Sequence, residues 1–272
     1  MRGVKSMKLL WSKSVPMETP WEPAYSGFFC KSADQVHFLY QAGRAVGVLT
    51  EDSECARKVQ SEEHTISLPN RWVLAEDAGQ PKLLLSEELA LDISAFEITH
   101  LPDAAEYGRL RKPEKYYVEA SFTHDGYEIS HKGNFGYQCR RNGEKIWEFR
   151  GQGYLYTDIC FRENRIFFGT AGQGGYFYVL DLQTGTPLVK IKTGGTASII
   201  TAGDCCYILS NEKRAKLLCI GIKDGTIHAE TELPGKASVY SSLALIDGQI
   251  HAITFSYKKG SLQHGIWSCV LP

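Results

Sequence analysis

Residues 165–191 read RIFFGTAGQGGYFYVLDLQTGTPLVKI. Three apolar runs are cut by the glycine-rich AGQGG at 171–175 and by the Thr184-Gly185 pair. Short apolar runs bounded by such residues read as strands. A Thr-Gly or Asn-Gly pair supplies the positive φ that a tight connection between paired strands needs. The unit recurs downstream and upstream, as YQCRRNGEKIWEF at 137–149, VLDLQTGTPLVKI at 179–191 and CIGIKDGTIHAET at 219–231. The turn glycines Gly143, Gly185 and Gly225 are 42 and 40 residues apart. A second set of turn signals keeps step with them: Asp125-Gly126, Glu163-Asn164, Gly203-Asp204 and Asp247-Gly248. Between the two sets lie alternating runs such as CCYIL at 205–209 and IHAITF at 250–255, as half-buried antiparallel strands require.

Two punctuation marks recurring together divide each repeat into four short strands in meander order, which is the blade of a β-propeller. The earlier chain follows the pattern less closely. QVHFLYQAGRAVGVLTEDSECARKV at 35–59 reads strand, turn, strand, turn, strand. In 70–98, Leu89, Leu91 and Ile93 alternate while Leu89, Ile93 and Phe96 suit one helix face, and the surrounding period decides for strand. GRLRKPEKYY at 108–117 is charged, contains Pro113 and reads as a connection. After Asp247-Gly248 only two long strands remain, and KLLWSKSVP near the N-terminus has the pattern of the missing outer one. The expectation is therefore an all-β fold, a single β-propeller domain over 1–272. Its six four-stranded blades lie at about 22–60, 61–104, 105–151, 152–195, 196–236 and 237–272 completed by 7–18. A split within 61–117 would make seven. The ring closes through the N-terminal strand pairing with the last blade, which removes an exposed sheet edge.

The run LDLQTGTPLVKI resembles the repeat of the quinoprotein-like (PQQ-repeat-like) β-propeller superfamily, in which Leu-Asp-x-x-Thr-Gly-x-x-x-Trp marks a hairpin between outer strands. Leu180, Asp181, Thr184 and Gly185 match, and Val189 stands where that family often has tryptophan. The 137–149 copy carries the tryptophan as Trp147, and Trp11 is similar to the same outer-strand position. The resemblance is clear over about residues 120–260 and implies that this ring packs between neighbouring blades, where a flat side chain buries much apolar area. Enzymes of that superfamily hold pyrroloquinoline quinone and a metal in a larger, exported chain. No constellation here suits that group, so neither PQQ nor another cofactor is expected. Fold does not imply function.

Composition narrows the classes further. At 272 residues, with 43% hydrophobic residues and 26 glycines against 10 prolines, the chain is globular, turn-rich and long enough for a sizeable core. Its 30 basic and 31 acidic side chains leave a formal charge of −1, with no field to draw in nucleic acid or an anionic membrane. The segment MRGVKSMKLLWSKSVP holds only the apolar run Leu9-Leu10-Trp11, and no run approaches the ~18 residues of a membrane span. A cytoplasmic protein is the expectation, with its eight cysteines reduced and acting as small apolar side chains. No C-x-x-C pair, H-x-H or H-x-x-x-H spacing signals a metal. AGQGG is followed by a strand, not a helix, and so reads as a loop and not a phosphate cradle. Ser26-Gly27 and Ser261 lack the G-x-S-x-G context of a hydrolase elbow.

Polar residues on the innermost strands remain as site candidates. Counting six residues back from each first turn gives Glu119, Asp158, Ser198 and Ser241, with His64 counted from Asn70. Tyr156 and Tyr240 lie beside them as an aromatic wall for a polar ligand. Channel walls touch water, and such groups are satisfied there without a ligand. Alternatively Glu119 and Asp158 on adjacent blades share a cation or raise one another's pKa for acid catalysis. Two readings follow: a non-catalytic scaffold that binds a protein or small polar ligand through one face or the channel mouth, and a lyase or hydrolase acting on a sugar or lactone. The repeats without a recognisable catalytic set favour the scaffold. The sequence leaves the oligomeric state open.

Overall fold

A computed structural model describes residues 6–16, 27–32, 34–42, 45–53, 57–60, 74–77, 80–85, 89–100, 121–133, 135–157, 159–237, 241, 243–258 and 261–270. Among these residues the regular elements are all strands. Strand β1 (Leu9–Pro16) is followed by a sheet of β2 (Gly27–Ser32), β3 (Gln35–Ala42), β4 (Ala45–Thr50) and β5 (Arg57–Val59). The next sheet joins β6 (Leu74–Asp77), β7 (Gln80–Leu84), β8 (Leu89–Asp92) and β9 (Glu97–His100). The third joins β10 (Ser121–His124), β11 (Tyr127–Lys132), β12 (Gly136–Arg141) and β13 (Glu144–Arg150). In the fourth, β14 (Tyr154–Leu155) and β15 (Cys160–Arg162) both pair with β16 (Arg165–Ala171), followed by β17 (Tyr176–Asp181) and β18 (Pro187–Lys192). The fifth contains β19 (Thr196–Ala202), β20 (Cys205–Asn211), β21 (Ala215–Gly221) and β22 (Ile227–Leu233). In the sixth, β23 (Leu243–Ile246), β24 (Gln249–Lys258) and β25 (Ser261–Val270) are completed by β1, which runs antiparallel to β25 from Leu9↔Cys269 to Pro16↔Gln263. Four-stranded antiparallel meanders are thus the repeated unit; Leu89 and Leu91 lie on a strand, whereas Ile93 falls in the turn that follows it.

The turn residues explain where the strands reverse. Asp125-Gly126, Asn142-Gly143 and Asp247-Gly248 have positive φ at both positions, the backbone twist that matches paired strands across a two-residue loop. In the β17–β18 connection Asp181 Oδ1 accepts from the Gln183 and Thr184 N–H groups and the Thr184 hydroxyl, at 3.0, 2.8 and 3.0 Å. One carboxylate so replaces the ladder partners that the turn removes. Asp224 serves the β21–β22 connection in a similar way, accepting from Thr226 N–H at 2.9 Å.

The chain forms two compact units, one of Met1–Lys8, Glu114–Val239 and Val270–Pro272, the other of Leu9–Pro113 and Tyr240–Cys269. In the first unit, Ile129, Tyr137, Cys139 and Trp147 of the third sheet pack on Ile166, Phe168, Tyr178 and Leu180 of the fourth. The other face of the fourth sheet, with Phe167, Phe177 and Val179, packs on Cys206, Ile208, Leu218 and Ile220 of the fifth. The middle strands are buried on both faces and so read as continuous apolar runs. Met7 is held at the outer strand of the fifth sheet, where its N–H donates to Thr231 Oγ1 at 2.8 Å and its carbonyl accepts from that hydroxyl at 3.0 Å.

Outer strands lock onto the next hairpin. The Trp147 indole N–H donates to the Leu182 carbonyl at 2.8 Å, and its ring lies over Gly185. One repeat later, Val189 lies over Gly225 and the Arg165 guanidinium donates to the Ile222 carbonyl. A Cβ on Gly185 would stand 2.5 Å from the Trp147 ring, and its φ of +70° is also one that L-residues adopt at a cost.

In the second unit, Leu39, Val46 and Val48 pack on Leu83, Leu91 and Ile93. On the other face of the same sheet, Phe29, Phe38 and Leu49 pack on Ile253 and Ile266. His251 is buried in that unit with its ring 5.2 Å from Phe29, and burial pushes its pKa down to about 4 against a weaker upward pull from Asp247. Burial likewise raises the Cys139 and Cys269 thiols to about 11, in keeping with cysteines used as apolar side chains.

Two outcomes test this packing. Gly185→Ala should cost about 3–4 kcal/mol in a urea melt, against roughly 1–2 kcal/mol for Gly126→Ala, because both meet the φ cost and only the first meets a ring. A methyl group added at Gly126 would have nothing within 4 Å. For His251 the folded pKa lies below the unfolded value of 6.5, so stability is constant above pH 6.5 and falls between there and pH 4. His251→Phe should remove up to about 3 kcal/mol of that loss, measured as a shallower dependence of stability on pH.

Candidate functional site

The first strands of the sheets carry few of the polar residues the repeat count singles out in a describable form. Glu119, Asp158, His64 and Tyr240 lie outside the described residues. Ser198 and Tyr156 are half-buried in adjacent sheets of the first unit, and Ser241 is buried just before β23 in the second. The count that reaches His64 starts at Asn70, yet the first hairpin of that sheet turns between Asp77 and Gln80, so the count loses its anchor.

The first strand of the fourth sheet is divided by a gap: β14 pairs with Thr170–Ala171 and β15 with Arg165–Phe167. Within that gap the Tyr156 N–H still donates to the Gly169 carbonyl at 2.9 Å. The Gly169 N–H instead donates to Thr157 Oγ1 at 2.9 Å, a side chain standing in for the missing strand. Packing is close here: the Thr196 side chain of the next sheet occupies the space a Cβ on Gly169 would need. Ser198 lies beside a register shift of its own, between Thr196 and Ser198. Irregular first strands are common where a strand must re-aim side chains.

A cleft lies elsewhere, on the third sheet. It has a volume of about 610 Å³ and is lined by the β11–β12 connection, β12 and β13, with Lys132, Gln138, Glu148 and Arg150 as polar groups, Phe135 beside them, and the core side chains Tyr137 and Phe149 bordering it from the other face. That volume falls within the ~300–1,000 Å³ of ligand sites. The sheet that carries it is one-sided. β11 alternates buried Tyr127, Ile129 and His131 with exposed or half-exposed Glu128, Ser130 and Lys132. β16, β20 and β21 show no such alternation. The open face holds Glu128, Ser130, Lys132, Arg140, Glu148 and Arg150, with Gln138 buried among them, and β13 also exposes Ile146.

A hydrogen-bonded chain fixes the floor of this face. Arg140 Nε donates to Gln138 Oε1 at 3.2 Å, Gln138 Nε2 donates to Glu148 Oε1 at 2.8 Å, and Lys145 Nζ donates to the same oxygen at 3.2 Å. The bonds from Lys145 and then Gln138 hold the Glu148 carboxyl below the usual range for a glutamate, with Lys132 adding to the effect. The sequence carried a sign of this cleft: QCRR and EKIWEFR place polar residues at alternate positions of a central and an outer strand. A search confined to first strands passes over it. Among the described residues no group of three His, Cys, Asp or Glu side chains could hold a metal.

No family model matches the chain, and no curated protein matches it. Among solved structures, BBS1N in complex with ARL6DN is similar over 99% of this chain and 98% of its own, at 10% identity and a TM-score of 0.58. BamB from Moraxella catarrhalis matches 88% of this chain and 71% of its own at 11% identity and a TM-score of 0.40. The WD40 beta propeller domain of Doa1 matches 88% and 77% at 9% identity and a TM-score of 0.42. The first likeness, nearly end to end on both chains, shows a shared fold.

If the Lys145 and Gln138 bonds set the Glu148 ionisation, Lys145→Met should raise its pKa toward that of an ordinary glutamate. Carbon-13 NMR titration of the Glu148 carboxyl reads the change directly.

Proposed function

We propose that residues 1–272 form one six-bladed β-propeller, closed by β1 on the last blade, that works as a non-catalytic scaffold for a partner protein. The observation that carries the binding reading is the one-sided third sheet. The middle strands of the fourth and fifth sheets are buried on both faces, whereas the third sheet keeps one face polar and carries a cleft of about 610 Å³. Aromatic and arginine side chains at a cleft are the residue types that dominate protein recognition. The whole-length likeness to BBS1N, solved in complex with another protein, gives the reading support at the level of fold.

The test is photocrosslinking. A benzoylphenylalanine placed at Glu128, exposed on the same face, should yield a discrete adduct with a cellular protein, whereas one at the exposed Leu188 of β18 should not. Adducts of equal yield at both positions, or none at Glu128, would remove the third sheet as the docking face.

A further inference from the structure

The ladder register places three residues in one row across the open face. Lys132 of β11 is opposite Gly136 of β12, and Gly136 is opposite Arg150 of β13. Two interstrand spacings separate the outer members, so their Cα atoms stand about 10 Å apart with a bare glycine between them. Side chains of that length converge over the glycine. In the next row, Gln138 is opposite Glu148, and that carboxylate is already engaged by Gln138 and Lys145. Among the described residues neither Lys132 nor Arg150 has an ion pair within hydrogen-bonding distance, although Lys132 is near enough to help lower the Glu148 pKa.

We infer that Lys132, Gly136 and Arg150 form a notch that takes one carboxylate of an acidic segment of the partner, an inference that rests on the docking reading above. The charge balance selects an anion. Lys145 already offsets Glu148, so Lys132 and Arg150 leave this row net positive and suited to a carboxylate. A polyanion such as nucleic acid would meet a chain whose formal charge is −1. Arg150 presents two parallel N–H donors to a carboxylate and Lys132 a point charge. Phe135, half-buried at the cleft, offers an apolar surface for the residue next to the acid.

Fluorescence anisotropy on the full chain tests the notch with three labelled peptides. Their Gly/Ser frame carries a core of Glu-Phe-Glu, of Gln-Phe-Gln, or of phosphoserine-Phe-phosphoserine. The Glu peptide should bind, and the Gln peptide should bind about tenfold more weakly. Arg150→Gln and Lys132→Gln should each weaken the Glu peptide about tenfold and leave the Gln peptide unchanged, while Lys213→Gln on the fifth sheet should change neither. Unchanged thermal unfolding of these surface variants separates binding from folding. No binding of the Glu peptide at millimolar concentration, equal binding of the Glu and Gln peptides, indifference to both substitutions, or tighter binding of the phosphopeptide would each overturn the notch. Photoadducts at Glu128 that persist in Arg150→Gln alongside such a result would leave the docking face standing without it. Loss of the adducts in the wild type as well would remove both.

Discussion

The seating of a large side chain on the glycine of the next hairpin is the constraint on which the rest of the first unit depends. Trp147 over Gly185 and Val189 over Gly225 occupy equivalent places in successive repeats. Each joins an outer strand to the turn of the following sheet, so the register of one sheet fixes the position of the next. The tryptophan adds a hydrogen bond to Leu182, and Arg165 adds one to Ile222, satisfying carbonyls that the turns would otherwise leave without a strand partner. Interdigitation of this kind lets sheets with two apolar faces stack without a helix between them.

Much of this was legible in the sequence because turns obey local chemistry. Asp125-Gly126, Asn142-Gly143 and Asp247-Gly248 require positive φ, and only a few residue types accept it cheaply. The Asp-x-x-Thr-Gly run is as readable, since Asp181 and Thr184 bond within the turn itself. The site was harder to read. The first strand of the fourth sheet pairs in two pieces, β14 and β15, and no local pattern in the sequence marks the division. Counting residues along an assumed continuous strand carries no register across it. The cleft on the third sheet left an ordinary period-two alternation, which looks like any half-buried strand until the neighbouring sheets prove to be buried on both sides.

That contrast is what gives the third sheet its interest. Burying both faces of a four-stranded sheet is the more stabilising use of its area, because apolar burial is the dominant favourable contribution to folding. Keeping Glu128, Lys132, Arg140, Glu148 and Arg150 on one face forgoes that gain. The bonded run from Arg140 through Gln138 to Glu148 and Lys145 holds the polar face in order, so it presents a fixed pattern of charge to its surroundings. Preorganised polar groups lose little entropy on meeting a partner.

The pairing of β1 with β25 has a kinetic consequence. The two strands are some 250 residues apart in the chain, so the sheet they share has among the longest loop closures a domain of this size can contain. Contacts of such sequence separation slow folding, since chain entropy is lost before the contact returns anything. On the ribosome β1 must wait, its backbone edge unpaired and Leu9 and Leu10 still exposed even in the finished fold, until the last strand has emerged.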